Sequence, residues 1–377
     1  MTTTKLLWDY GTAYDMFISL AVLHEPDRYG LRGAWAAGVR SRVPNPERDM
    51  LQRWVEAMGW PLHWVYTLPA PRDGKTVLQA LRQMPPFERV KKLLINGYIS
   101  DEWQQVWLNV AERGSYSQAD VDALLAIYNE RMAGKQKKSA KKLREHFEGT
   151  LTVWADAEAF GEGLVAGLQV YYDVFFSEEE ARILPALETA VANAQALSQT
   201  LELPDLLEQL TAGLRFSEEM TSMEEMVLVP SFWGAPLTLF MKINDTRQMI
   251  VFAGRPADAS LVPGDVVPDA LFRALKALAD PTRLRIMRYL SNKPSTPAEL
   301  ARRLRLRAPT VVHHLHALRL AQLVHLTFSQ DEGGKRYEAR REAVDAAFEL
   351  LNTFLDAEEV QSETKRDTAV LRHVSAD

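Results

Sequence analysis

The sequence predicts a mainly α chain with small β elements. A large helical N-terminal domain with a short β-hairpin region should be followed by a smaller, basic, mostly helical domain. Three observations predict this. Apolar residues recur at helical spacing through most of the chain up to about Leu201. Short runs rich in Val, Ile, Leu and Phe then take over, split by the turn residues Asn244, Asp245 and Thr246. Charge is also unevenly placed: the 377-residue chain carries −6, whereas residues 270–341 hold 15 Lys and Arg against 5 Asp and Glu, a balance of +10 that leaves −16 for the rest. A basic module on an acidic body is the asymmetry expected where one domain binds nucleic acid and another does something else.

A chain of 377 residues calls for two or three cores, and 47% hydrophobic with 25% charged residues is globular. The chain has no run of about 18 uncharged apolar residues, so no membrane span is expected. The start, MTTTKLLWDYGTAYD, puts acids inside its first apolar stretch and carries no small-residue cleavage site, so no signal peptide is expected. The absence of cysteine rules out disulfides and thiolate metal sites, and a cytoplasmic location is the expectation.

Residues 6–23 have apolar positions at helical spacing, closed by His24, Glu25 and Pro26. Residues 48–58 form a second helix stopped by Gly59, and 69–73 form a turn. Helical character continues over 77–81, 87–94, 103–110 and 119–131. The basic stretch 134–142, GKQKKSAKK, reads as a solvated loop or exposed helix start; an extra phosphate contact is the other reading. Residues 158–176 and 178–201 are helical, and Ser177 with Glu180 has the pattern of a capping box. Strands are expected over 226–229, 237–243 and 248–253, the last two as a hairpin. Residues 256–268, with Gly264 at their middle, are linker-like, which puts domains at 1–264 and 265–356 and a polar tail at 357–377.

The second domain is the most informative. Asp269 can cap a helix over 270–278, and Asp280-Pro281 restarts helix with Leu284, Ile286, Met287 and Leu290. Thr296, Pro297 and Glu299 make a capping box that opens a helix through Leu304. After a turn at 305–308, Pro309 starts a third helix with Val311, Leu315 and Leu318 on one stripe. Two helices joined by a tight turn make a helix-turn-helix. Val324, Leu326 and Phe328 then alternate with polar residues, Asp331 to Gly334 supply a turn, and Tyr337 and Ala339 return inward: a hairpin wing. A final helix over 342–355 aligns Val344, Phe348, Leu351 and Leu355.

The ordered segments ALADPTRLRIMRYL, TPAELARRL, TVVHHLHALRLAQLV and GGKRYEA resemble the ArsR family of winged-helix bacterial repressors over about 269–355. The stretch WDYGTAYDMFISLAVLHEPDRYGL is similar to an uncharacterised domain fused ahead of such winged helices, which implies no activity. The resemblance implies a DNA-binding regulator, a repressor, working as a homodimer on double-stranded DNA. Its dimer surfaces would be the helices over 270–278 and 342–355. The sequence departs from the family in three places: Val312 stands where Ser is common, Gln322 where Gly usually ends the helix, and the cysteine pair many members use to sense metals is missing. The alternative metal pattern on the last helix fails as well, because 342–355 contains no His.

Three of the eight histidines, His313, His314 and His316, fall within four residues. At about 100° per residue, His314 points away from His313, so the three cannot share one ion, and a zinc site needs three or four ligands. The inward stripe instead turns His313 and His316 outward. The expected DNA contacts are Thr310, His313 and His316 at base edges, with Val312 adding apolar contact. Arg307 and Arg319 are expected at phosphates, and Lys335 and Arg336 at the wing tip. No cofactor or metal is implied. Asp9, Asp15, His24, Glu25 and His63 have no catalytic spacing, so no catalytic residue is assigned and no enzyme is expected. An interaction scaffold that uses the winged helix for protein contacts is an alternative, opposed by the module's +10 charge, and an enzyme with a fused DNA-binding domain is a further one. Seven of nine tryptophans lie in the first 107 residues, either as core or lining a pocket for an unnamed small-molecule effector.

Overall fold

The structure, a computed structural model, describes residues 4–57, 59–132, 139–217, 221–327 and 335–357. It is mainly α with small β elements. Two compact units emerge: Met1–Pro256 with His325–Arg336, and Ala257–Val324 with Tyr337–Asp377. The division thus falls before the boundary expected at 264, and the described wing residues 325–327, 335 and 336 go with the first unit. The wing turn 331–334, Phe328, residues 134–138 and the tail beyond Ala357 lie outside the described residues.

In the first unit, the strands β1 (Lys5–Trp8), β3 (Glu225–Ser231) and β5 (Arg247–Ala253) run parallel, and β4 (Leu239–Lys242) is antiparallel to β5, in the order β1-β3-β5-β4. Leu7 pairs with Val227, and Val227 with Met249. The unbroken apolar run of β3 is buried on both faces, as a central parallel strand should be. One face packs Leu228, Ile250 and Phe252 against Ala194, Leu206 and Leu207. The hairpin of β4 and β5 is present, with Met241 opposite Met249.

Two expectations need correction here. Residues 5–8 are a strand rather than the start of the first helix, because pairing with β3 satisfies their backbone groups; α1 (Thr12–His24) begins only after Gly11. A Cβ on Gly11 would sit 2.4 Å from Arg72 O, the carbonyl that accepts from Ala13 N. Ser177 is not a cap. The helix α11 (Ala157–Tyr171) passes through a π-helical turn, Tyr172–Phe176, directly into α12 (Ser177–Leu197), so Ser177 lies inside continuous helix.

The remaining helices of the unit are α2 (Pro26–Tyr29), α3 (Gly33–Arg40), α4 (Asn45–Ala57), α5 (Leu62–Val65), α6 (Gly74–Gln83), α7 (Pro86–Leu94), α8 (Asp101–Arg113), α9 (Gln118–Arg131), α10 (Ala140–Ala155) and α13 (Leu203–Leu210). Tryptophans make core here. Trp54, Trp107, Trp154 and Trp233 are at most 4% exposed, and Trp107 stacks on Trp154 with ring centroids 5.3 Å apart. The α1 helix is anchored by Asp15, whose carboxylate accepts from Ser231 Oγ (2.5 Å), Phe232 N (3.0 Å) and Trp233 N (2.9 Å). Complete burial pushes that carboxyl up to about 6, against these three bonds.

The second unit contains α14 (Asp269–Leu278), α15 (Pro281–Leu290), α16 (Pro297–Leu304), α17 (Ala308–Leu320) and α18 (Arg341–Asp356). Its caps follow from the sequence. Asp280 Oδ1 accepts from Arg283 N at 2.9 Å, and Thr296 and Glu299 close a reciprocal capping box. Ile286, Leu290, Leu300, Val311, Leu315, Leu318 and Val324 form the core. The wing strands are β6 (Val324–Thr327), which beyond Val324 belongs to the first unit together with β2 (Leu214–Arg215), and β7 (Arg336–Ala339), which beyond Arg336 belongs to the second. Leu214 pairs with Leu326 in parallel, and His325 Nδ1 lies 3.0 Å from Glu208 Oε1 of α13. Antiparallel bridging joins Ser295 to Tyr337.

Candidate nucleic-acid interface

Pro309 opens α17 at a position where its missing N–H costs nothing, and the stripe Val311, Leu315, Leu318 seats the helix on the core, each 0% exposed. That seating decides what the rest of the helix shows. Arg307, Thr310, Val312, His313 and His316 are all exposed, Val312 at 51%. His314 is turned the other way: its side chain is 14% exposed, with Nδ1 3.9 Å from Asp280 Oδ1. The three imidazoles therefore diverge, two toward solvent and one toward the cap of α15.

Arg319 is the expected contact that the structure overturns. It is 8% exposed, because four residues after Leu315 and eight after Val311 it falls on the buried stripe. Burial and the like charge of Arg340 push its guanidinium down to about 10, which leaves it charged at neutral pH. At the wing, Lys335 is exposed and Arg336 half-buried.

The helix ends in the left-handed cap that a glycine would normally provide. Gln322 has φ 59°, and Leu323 N donates to Leu318 O at 3.0 Å, closing a Schellman turn. The turn before α17 is built similarly: Arg305 has φ 57°, and Leu306 N donates to Ala301 O.

A further basic feature escapes a reading of the sequence alone. Lys293, Ser295, Glu299, Arg302 and Arg303 line a cleft of about 240 Å³ between the α15–α16 loop and the outer face of α16. The signal available in the sequence was the outward helical phase of Arg302 and Arg303, since Leu300, Ala301 and Leu304 take the core side.

In the first unit, the ionisable residues without catalytic spacing are each taken up separately. Asp9 accepts from Tyr14 and pairs with Arg72, His24 Nδ1 lies 2.8 Å from Leu20 O, and His63 Nε2 lies 3.1 Å from Lys92 O. Burial holds both imidazoles below their ordinary range. Glu25 pairs with Arg28 in a partly exposed ion pair. A groove of about 240 Å³ opens between α4, α10 and α11, floored by Met50, Ala57, Val153 and Phe160; no tryptophan lines it.

Among the described residues no helix is long and apolar enough to cross a membrane. No curated protein and no solved structure matches the chain. A family model described as a helix-turn-helix domain matches residues 278–327, from the end of α14 to the end of β6, and at that level the chain is a helix-turn-helix regulator that binds DNA.

Proposed function

We propose that the chain is a sequence-specific transcriptional regulator of the ArsR type, acting in the cytoplasm as a repressor. Its α17 lies in the major groove, with Thr310, His313 and His316 at base edges, Val312 against a thymine methyl, and Arg307 at a phosphate. Lys335 and Arg336 grip the backbone from the wing. The observation that carries this reading is the exposure of His313 and His316 on a helix whose opposite face is sealed into the core. Neither a cofactor nor a catalytic step enters it.

The working form is a homodimer. Phe272 on α14 and Phe348 and Leu355 on α18 are 52%, 50% and 69% exposed, a set of large apolar side chains that a second copy would cover. Two recognition helices would then read half-sites about one DNA turn apart. The first unit tunes this binding, by sensing a small-molecule effector or by building the dimer. Support comes from Leu326 and Thr327 of the first wing strand, which fall within that unit and pair with Leu214 and Arg215.

Selection of bound duplexes from a random pool, followed by anisotropy titrations at two salt concentrations, tests the reading. His313→Ala and His316→Ala should each erase about 1–3 kcal/mol of discrimination at one or two base pairs. Duplex binding that is equal for all sequences, in wild type and variants alike, would refute it.

A further inference from the structure

Three positive charges gather at the cleft beside α16. Lys293, Arg302 and Arg303 are exposed, and none makes an ion pair within the described residues; Arg303 lies over the Tyr289 ring, 5.7 Å from its centroid. The rim also carries an acid, Glu299. Its carboxylate accepts from Thr296 N at 2.7 Å and stands three and four residues before Arg302 and Arg303, so it offsets part of their charge and leaves the cleft net positive. The floor is ordered: Ser295 is 2% exposed, its hydroxyl donates to Lys293 O at 3.1 Å, and its backbone exchanges two bonds with Tyr337. Like charges held around a fixed concavity repel one another, and an anion placed among them relieves that repulsion. An arginine fork and an ammonium suit a tetrahedral oxyanion that presents several acceptor oxygens.

We infer that this cleft seats a backbone phosphate of the duplex read by α17, giving α16 a grip separate from the base-reading helix. The inference rests on the DNA-binding reading above. The geometry favours it because α16 packs directly on α17 within one unit, so a phosphate held at Lys293, Arg302 and Arg303 would fix the angle at which α17 enters the groove. These contacts position the protein and carry no sequence information.

The test uses full-length protein and the variants Lys293→Gln, Arg302→Gln and Arg303→Gln, singly and together. Glutamine keeps most of each side chain's stem, and circular dichroism confirms folding. Should Arg303→Gln unfold through loss of its place on Tyr289, the Lys293→Gln/Arg302→Gln pair carries the test. Affinity for a selected duplex and for an unrelated one is followed from 50 to 200 mM salt. One seated phosphate counts once in the slope of log K against log salt, so the triple variant should flatten it by about 0.9, equally for both duplexes, and each single variant by part of that. An unchanged slope with wild-type affinity overturns the inference and leaves the α17 reading intact. The inference also fails if calorimetry shows wild type, but not the triple variant, binding inorganic phosphate while the slope stays unchanged, because the cleft would then hold a free anion. Absence of duplex binding by wild type would remove both.

Discussion

His314 Nδ1 lies 3.9 Å from Asp280 Oδ1, the carboxylate that caps α15 through Arg283 N. One acid thus serves two helices, ending the free N–H groups of α15 and facing the inner side of α17. The hydrogen bond from the Arg283 N–H holds the Asp280 carboxyl below its ordinary range. Asp280→Ala should cost the second unit about 1–2 kcal/mol, read as a lower urea midpoint by circular dichroism. Every tryptophan lies before Pro256, in the first unit, so tryptophan fluorescence should report an unshifted transition. A shift of equal size in both signals would show that the cap acts on the whole chain.

Arg319 and His316 should separate stability from recognition. Arg319→Ala removes a buried stem and leaves the groove-facing side chains in place, so the second unit should lose about 1–3 kcal/mol of stability while the salt slope per folded molecule stays fixed. His316→Ala should do the reverse, with little change in melting and a loss of base preference. A reduced salt slope in Arg319→Ala would return that residue to the phosphate contacts.

The cap of α17 can be improved. Gln322 holds φ 59° with its N–H donating to Arg319 O and its carbonyl accepting from Arg340 Nη1 at 2.9 Å. A left-handed backbone costs a non-glycine residue about 1 kcal/mol, partly offset by the extra freedom glycine gives the unfolded chain. Gln322→Gly should raise stability by about 0.5 kcal/mol, visible as a higher urea midpoint. An unchanged or lower midpoint would show that the Gln side chain stabilises the cap by at least as much.

Asp15 makes the first unit sensitive to acid in an unusual direction. Its folded pKa, raised to about 6 by burial, lies above the ordinary value of 3.8, so the native state binds the proton more tightly than the unfolded one. Stability from this group is greatest below pH 3.8 and is lost as pH rises through 6. Relative to Asp15→Asn, wild type should therefore gain about 1 kcal/mol between pH 7 and 5, followed by tryptophan fluorescence in urea. Asp15→Asn should also be destabilised at neutral pH, because its amide N–H₂ meets N–H and O–H donors. A flat difference across that range would place the carboxyl's pKa near its ordinary value.

Phe348→Asp and Leu355→Asp should convert a dimer to a monomer in analytical ultracentrifugation, with weaker operator binding and unchanged helix content. A wild type that sediments as a monomer at micromolar concentration would remove the dimer from the proposal.

What the sequence determined by itself was local. The caps at Asp280 and Thr296, the inward row Val311, Leu315, Leu318, and the outward phase of His313 and His316 all follow from bonds and periods spanning a few residues. Arg319 was legible by the same rule, since it stands four residues after Leu315; its charge drew it to the wrong face. Tertiary structure alone decided the rest. Lys5–Trp8 becomes a strand because it pairs with residues 225–228, Ser177 is helix interior because a π-helical turn carries one helix into the next, and the wing strand joins β2. Lys293, Arg302 and Arg303 become one cleft only when the loop and helix fold together. Contacts between residues distant in sequence leave no local period, so they exist only once the chain has closed on itself.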